Sequence, residues 1–194
     1  GVGIIRNAYD PTRNPSGSSG GSGGGVAANF GLVGIGEDTG GSIRIPASMT
    51  GTVGHKITFN RWSVSGVVPL SRTFDTVGGL TRSVEDSVFF FGSIDPAWGD
   101  PMALFRHLSG PNTASVRIGM PRCGIWDECQ ADVAEVLELA LADLASASWH
   151  RSEIDGSLLD NARDLYVTGG ITGAECLAFL HRDGHGRIRT PHHI

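Results

Sequence analysis

The sequence predicts an α/β fold with a mixed, largely parallel sheet flanked by helices. Short apolar segments of strand type alternate along the chain with segments of helical type, which is the pattern of α/β domains. Residues 127–148 carry the clearest helical signal, because apolar side chains recur there at the spacing of one helix face. The 194 residues, 40% of them hydrophobic, are enough for one domain with a buried core.

The remaining elements follow from local patterns. The predicted strands are residues 31–36, 51–54, 115–120 and 149–154. The other predicted helices are residues 22–30, 46–50, 84–92 and a last stretch, broken at 169–170, that ends near His181. Ser83 is the expected N-cap of the third helix, since Asp86 follows three residues later. Residues 95–111 contain prolines and no clear periodicity, so they are predicted to form a surface connection.

Charge and composition limit the classes of partner. With a net charge of −5, the chain offers no basic surface that could displace the counterions of nucleic acid, so no direct nucleic-acid partner is expected. No apolar run has the length of a membrane span. The cysteines, Cys123, Cys129 and Cys176, are odd in number and lack a paired spacing, which favours reduced thiols and a cytoplasmic location.

Two segments rich in glycine and serine organise the chain, residues 17–25 and residues 38–44. Eleven of the 29 glycines fall between Gly17 and Gly41. Glycine permits left-handed backbone and close approach of the chain to another group, so these segments are candidates for loops that present hydroxyl and N–H groups. A flexible Gly/Ser linker is the alternative. It is disfavoured because apolar, element-forming sequence follows each segment directly.

The second segment has the residue types of a nucleophile loop. Serine needs a base and donors for the oxyanion before it can attack a carbonyl group. Successive N–H groups of Thr39, Gly40 and Gly41 would suit an anionic oxygen if the loop curls into a nest. Ser42 is then the natural attacking group, and Ser18, on the other loop, is the candidate for a proton relay.

These residues resemble the amidase signature family. The resemblance lies in Asn-Pro-Ser-Gly-Ser-Ser-Gly-Gly-Ser at 14–22 and in Gly-Glu-Asp-Thr-Gly-Gly-Ser-Ile-Arg-Ile-Pro at 36–46. It continues in Gly-Thr-Val-Gly-His-Lys at 51–56, Gly-Val-Val-Pro-Leu at 66–70 and Phe-Asp-Thr-Val-Gly at 74–78. It is strong over about residues 7–95 and holds only in outline beyond them. The resemblance implies an amidase-signature fold, here incomplete at both ends.

The resemblance also implies a mechanism. It implies a serine hydrolase that cleaves carboxamides through an acyl-enzyme, with Ser42 as nucleophile and Ser18 as bridging serine after a cis peptide bond. Thr39, Gly40 and Gly41 match the oxyanion loop. The substrate is expected to be a small-molecule amide, with no cofactor or metal. A glutaminase-type A subunit of a tRNA-dependent amidotransferase and a non-catalytic amidase-like scaffold remain alternatives, and a homo-oligomer stays open.

The third member of the expected triad is a lysine. In the family it lies well upstream of the first Gly/Ser segment, whereas the single lysine of this chain, Lys56, matches a downstream lysine that is not the triad base. The chain is therefore expected to be an internal fragment that is inactive alone. All 194 residues are expected to belong to one amidase domain, with residues 1–95 as its signature core and 96–194 as a peripheral portion.

Four positions depart from the family pattern. Ser16 stands where the family usually has glycine, and His55 and Ile57 replace an apolar residue and a proline around Lys56. Glu37 replaces a small polar residue beside the oxyanion loop. Its carboxylate could disfavour anionic substrates or simply face solvent.

Other chemistries fit the sequence less well. Ser19 lies in a nucleophile-elbow pattern and could be combined with Asp160 and His181, but the elbow needs a strand before it. Phosphate-binding loops are disfavoured because the required lysine or third glycine is missing. His55 could form a Ser–His pair supported by Asp38. A metal site could be formed by His181 with His185, His192 and His193. It is disfavoured because histidines in a polar terminal stretch are more often solvated than bound to a metal.

Overall fold

A computed structural model describes residues 3–110, 116–146 and 149–182 of the chain. Its strands are β1 (Val33–Glu37), β2 (Val53–Lys56), β3 (Val77–Thr81), β4 (Arg117–Arg122) and β5 (His150–Asp155). Its helices are α1 (Gly20–Ala27), α2 (Arg44–Thr50), α3 (Val84–Ile94), α4 (Pro101–Leu108), α5 (Gly124–Asp127), α6 (Ala131–Ser146), α7 (Ser157–Val167) and α8 (Gly170–Arg182). This alternation confirms the predicted α/β class.

The chain divides into two compact units. The first comprises Gly1–Ser109 and Ile171–Ile194, and the second comprises Gly110–Gly170. The division into a signature core at 1–95 and a peripheral portion stays a prediction. In the part of the chain that the structure describes, no helix is both long enough and apolar enough to cross a bilayer.

The first unit is built on a three-stranded sheet with the order β1-β3-β2. β1 and β2 are joined through α2 and both pair with β3 in the antiparallel sense, so they run in the same direction. The segment after β2 then returns the chain so that β3 lies between β1 and β2. Ile43, Ala47 and Leu80 form the buried cluster on which this arrangement packs.

The pairing of β1 with β3 continues beyond the strands. The ladder ends at the pair Glu37 and Val77. One step further, the Asp38 N–H donates to the Thr76 carbonyl at 2.7 Å, and the Thr76 hydroxyl donates to the Asp38 carbonyl at 3.0 Å. The next pair in this register is Thr39 and Asp75. The antiparallel register thus places the segment after β1 opposite the segment before β3.

The second unit contains the parallel pair β4 and β5, in the register Arg117 with His150 through Arg122 with Asp155. Parallel pairing among the described residues is confined to these two strands, which differs from the expected largely parallel sheet. Helix α6 confirms the strongest helical prediction, although it begins at Ala131 rather than near residue 127. Several of its apolar residues are exposed, with Val136 at 66% and Val133 at 46%.

Two helix starts show how local capping works. The Ser83 hydroxyl accepts a hydrogen bond from the Asp86 N–H at 3.1 Å, which confirms the predicted N-cap of α3. The surface connection predicted at 95–111 is wrong, because α4 forms there. The Asp100 carboxylate caps α4 by accepting from the Met102 N–H at 2.9 Å. Pro101 lies at the first helical position, where proline favours a helix instead of breaking it.

A glycine substitution tests the packing of the first sheet. A Cβ atom at Gly78 would lie 2.1 Å from the backbone oxygen of His55 on the neighbouring strand. Gly78→Ala is therefore expected to lower the free energy of unfolding by about 1–3 kcal/mol or more. The control is Gly25→Ala in α1, where a Cβ meets nothing within 4 Å. Urea denaturation checks both variants, and equal losses in the two would contradict the prediction.

Candidate active site

The two glycine-rich loops meet at their ends. The Ser19 N–H donates to the Ser42 carbonyl at 3.1 Å. The Ser19 hydroxyl lies 3.3 Å from both the backbone nitrogen and the backbone oxygen of Glu37. The Gly17–Ser18 peptide bond is cis, as the family resemblance implies. These contacts bring the loop before α1 next to the loop before α2.

The two predicted catalytic serines lie on these adjoining loops. Ser18 is exposed and Ser42 is half-buried. Among residues 3–110, 116–146 and 149–182, neither side-chain hydroxyl makes a hydrogen bond. The two loops are therefore held together by the backbone hydrogen bond between Ser19 and Ser42. The side-chain hydroxyls of Ser18 and Ser42 are available to a substrate or to further groups.

Asp38 is the centre of the second loop. Its side chain is 0% exposed. The carboxylate accepts from the backbone N–H groups of Gly41 at 2.8 Å, Ile43 at 3.2 Å and Arg44 at 3.3 Å. These bonds fold residues 38–44 around one anion, and they make α2 begin directly after the loop.

Two cations neutralise this buried anion. Arg44 binds the Asp38 carboxylate through Nε and Nη2, both at 3.0 Å, and Lys56 binds it through Nζ at 3.0 Å. Burial alone would favour the neutral acid. The hydrogen bonds from Arg44, Lys56 and Ile43 outweigh that effect, and they hold the pKa of Asp38 well below its usual range.

Lys56 fixes the backbone of the loop as well as its carboxylate. Its Nζ also donates to the Asp38 carbonyl at 2.6 Å and to the Thr39 carbonyl at 3.2 Å. An ammonium group has three donors, and these three contacts use all of them. The only lysine in the sequence is thus held as a structural cation of the loop by Asp38 and Thr39.

Thr39 is held from the other side by Asp75. The Thr39 hydroxyl lies 2.6 Å from Asp75 Oδ1. The Asp75 carboxylate also accepts from the N–H groups of Leu70 and Ser71, each at 2.9 Å. This segment is in turn bound by α8, whose Glu175 carboxylate accepts from the Ser71 and Thr73 hydroxyls and from the Thr73 N–H at 3.1 Å.

The backbone N–H groups of residues 39–41 differ in whether they already donate a hydrogen bond. The Gly41 N–H is taken by Asp38, whereas the N–H groups of Thr39 and Gly40 have no partner within the described part of the chain. Gly41 adopts a φ of 132°, which favours glycine. A Cβ there would also come within 2.6 Å of Ile45 Cδ1. Gly41 therefore shapes the turn that leads to Ser42.

His55 does not pair with Asp38. Adjacent residues of a strand point to opposite faces, so His55 on β2 faces away from the side that Lys56 uses. The His55 ring stacks on Phe91 with centroids 5.4 Å apart, and its Nδ1 lies 3.3 Å from the Ser87 hydroxyl. Burial lowers the pKa of His55. The predicted Ser–His arrangement with Asp38 is thus wrong, because strand alternation separates the two side chains.

The arrangement of Ser19 with Asp160 and His181 finds no support either. The Ser19 hydroxyl is engaged by the Glu37 backbone, and the Asp160 carboxylate accepts from the Gly124 N–H at 2.9 Å. No strand precedes Ser19 within residues 3–18, so the elbow is not formed. His185, His192 and His193 lie outside the described residues. Within the described ranges, no group of three or more histidine, cysteine or acidic side chains is placed to hold a metal.

Sequence reasoning missed the central role of Asp38 and the parts played by Arg44 and Asp75. All three lie inside the motifs that carried the resemblance, but a motif does not say which of its members are buried. The signal that could have identified Asp38 is the pair of cations, Arg44 and Lys56, that follow this acidic residue of the glycine-rich loop.

Comparison with known proteins identifies the family. The family model described as Amidase matches residues 1–185. The chain belongs to the amidase family. It is 38% identical over 181 residues to 2-amino-5-chloromuconic acid deaminase of Comamonas testosteroni, covering 92% of this chain and 38% of that protein. It is 37% identical over 155 residues to indoleacetamide hydrolase of Pseudomonas savastanoi, covering 79% of this chain and 32% of that protein.

A solved amidase-family structure agrees in fold. The A subunit of the glutamyl-tRNA(Gln) amidotransferase of Thermotoga maritima gives a TM-score of 0.73 at 26% identity, covering 95% of this chain and 42% of that chain. The amidase-signature fold predicted from the motifs is thereby confirmed. The chain spans less than half the length of these three relatives.

The buried anion generates a stability prediction. Asp38→Asn is expected to lower the free energy of unfolding at pH 7 by about 3–5 kcal/mol, because it leaves two cations without their shared counter-charge. Asp10→Asn is the control, since the Asp10 side chain is 46% exposed and should have little effect. Urea denaturation measures both, and equal stability of the two variants would disprove the role given to Asp38.

The stability that Asp38 provides, measured as the difference in unfolding free energy between wild type and Asp38→Asn, depends on pH. The folded-state pKa of Asp38 is lowered, so its stabilisation is complete above the ordinary value of 3.8 and is lost as the pH falls towards the folded-state value. The difference in unfolding free energy between wild type and Asp38→Asn should therefore shrink as the pH falls below about 4.

Proposed function

We propose that this chain carries the serine loops of an amidase that hydrolyses a carboxamide C–N bond through an acyl-serine intermediate. The observation that carries the proposal is the loop at residues 38–42, built around buried Asp38 and joined by its last residue, Ser42, to the loop that contains Ser18. Membership of the amidase family supports the reaction class.

In the proposed reaction, Ser42 Oγ attacks the amide carbonyl carbon. Its proton passes to Ser18, which gives up its own proton to a base. The N–H groups of Thr39 and Gly40 bind the oxyanion, and Gly41 orients them through its bond to Asp38. The proton returns to the nitrogen as the C–N bond breaks, which leaves an ester on Ser42. Water then hydrolyses that ester and regenerates both serines.

The base of this relay is proposed to be a lysine outside residues 1–194. Lys56 cannot serve without giving up its three contacts to the Asp38 and Thr39 oxygens. A neutral amine with a free lone pair is needed to accept the Ser18 proton. Lys56 instead supports the oxyanion loop, and Asp38 acts as a positioning residue.

A second reaction of the same site has one supporting observation. The structure with a TM-score of 0.73 is that of an amidotransferase A subunit, which would use the acyl-serine chemistry to release ammonia from glutamine. The two functions differ in substrate and acceptor. Hydrolysis of simple amides without a partner protein favours the amidase, and ammonia release confined to glutamine favours the amidotransferase.

Serine substitutions test the proposed roles in a protein that joins this chain to the coding sequence preceding Gly1. Ser42→Ala is expected to abolish labelling by a fluorophosphonate probe and to lower kcat by about 10³-fold or more. Ser18→Ala should lower kcat strongly because the proton relay is cut. Ser48→Ala, on the exposed surface of α2, is the matched control and should keep both labelling and turnover.

Failure to label Ser42 in the unmodified protein would instead favour a non-catalytic scaffold. The 194 residues expressed alone are expected to show no measurable amide hydrolysis, because the base of the relay is absent from them. Ammonia or carboxylate release by this chain alone, lost in Ser42→Ala, would disprove the assignment of the base to an outside lysine.

A further inference from the structure

One hydroxyl of the loop lies between two carboxyl groups. Thr39 Oγ1 is 2.6 Å from Asp75 Oδ1 and 3.3 Å from Glu37 Oε1. A hydroxyl has one proton to donate and lone pairs with which to accept. If the Thr39 proton goes to Asp75 at the shorter distance, the contact with Glu37 is a hydrogen bond only when Glu37 carries a proton and donates it to Thr39.

The other contacts of Asp75 identify it as the ionised partner. Its two oxygens accept from the N–H groups of Leu70 and Ser71, which are donors only. A carboxylate satisfies these donors and the Thr39 hydroxyl together. Glu37 has no backbone donor of this kind to its side chain among the described residues. The proton shared by the two acids therefore belongs on Glu37.

Strand register enforces the meeting of these groups. Glu37 and Thr39 are two residues apart, so their side chains lie on the same face of the extended chain. The register that pairs Glu37 with Val77 places Thr39 opposite Asp75. The two carboxyl groups and the hydroxyl thus share one face where β1 ends and β3 begins.

The charges around Glu37 disfavour its ionised form. Asp75 and Asp38 are like charges on the neighbouring segments, and the nearby cations, Lys56 and Arg44, are both engaged with Asp38. Further along the facing segment lies Arg72, and Glu175 of α8 is bound to Ser71 and Thr73 of that segment. Burial, and then the neighbouring carboxylates of Asp75 and Asp38, raise the pKa of Glu37 to about 7.

We propose that Glu37 is a positioning residue that, in its neutral form, donates a hydrogen bond to Thr39 and thereby holds the first residue of the oxyanion loop against Asp75. Ionisation removes this donor and places a second negative charge beside a loop that must bind an oxyanion. Family members with a small polar residue at this position lack such a group. The functional part of the inference rests on the proposed function, whereas the proton on Glu37 does not.

Glu37→Gln separates the two parts. Glutamine keeps a donor to Thr39 but does not titrate. Glu135→Gln on the exposed surface of α6 is the matched control, since it removes the same charge away from the loop. A third variant, Glu37→Ser, restores the small polar residue of the family and removes both the donor and the charge.

The first measurement needs no catalysis. Carboxyl-carbon NMR of the 194-residue chain, assigned to Glu37 by its loss in Glu37→Gln, is expected to show a midpoint between pH 6 and 8. The stabilisation that the neutral form provides is complete below the ordinary value of 4.5 and is lost as the pH rises through about 7. The thermal midpoint of wild type should accordingly fall relative to that of Glu37→Gln between about pH 4.5 and 7 and change little above that range. A Glu37 midpoint below pH 5 would overturn the proposal.

The second measurement is the pH profile of kcat in the longer protein that joins this chain to the coding sequence preceding Gly1. Wild type and Glu135→Gln are expected to lose about tenfold in kcat between pH 6 and 8.5 relative to Glu37→Gln, with KM changed less than twofold. Profiles that coincide in wild type and Glu37→Gln would overturn the positioning role, even if Glu37 titrates near neutrality. Failure of Ser42 to react with a fluorophosphonate would contradict the proposed function instead, and the NMR midpoint still decides where the proton lies.

Discussion

The structure around the serine loops depends on one buried carboxylate. Asp38 is the acceptor for three backbone N–H groups and for two cationic side chains, and these five groups come from the loop, from α2 and from β2. An anion in this position costs free energy to bury, but each donor would be left without a partner if it were removed. The shape of the loop that presents Ser42 is therefore a consequence of electrostatics more than of glycine flexibility.

A second constraint acts through the sheet. The loop after β1 is tied to the segment before β3 by Thr39 and Asp75, and that segment is tied to α8 by Glu175. The candidate site is thus held in place by residues far apart in the chain, although the residues of each motif are close together in sequence. This explains why a departure from the family at Glu37 changes the balance of charge at the loop: the carboxyl group is added where Asp75 already supplies one.

Much of the site could be predicted from the sequence, because its motifs are local and ordered. The motif at 36–46 identified the loop, and Ser83 identified the start of α3. The centre of the loop could not be predicted, since the burial of Asp38 depends on Arg44 and on Lys56 of another strand. Helix α4 was missed because proline disfavours a helix at most positions, whereas Pro101 occupies the first helical position, where it is stabilising.

The continued pairing of β1 with β3 also affects how such a protein can change in length. Thr39 contacts Asp75 because Thr39 lies two residues after Glu37, Asp75 lies two residues before Val77, and Glu37 and Val77 pair in the sheet. Insertions between β2 and residue 69 alter the connection without altering that register. A single residue gained or lost within 33–39 turns the Thr39 side chain to the opposite face, and one gained or lost within 75–81 turns the Asp75 side chain. Over evolution, tolerance to insertion should therefore fall sharply at these two short segments, even though neither contains Ser42, the proposed nucleophile.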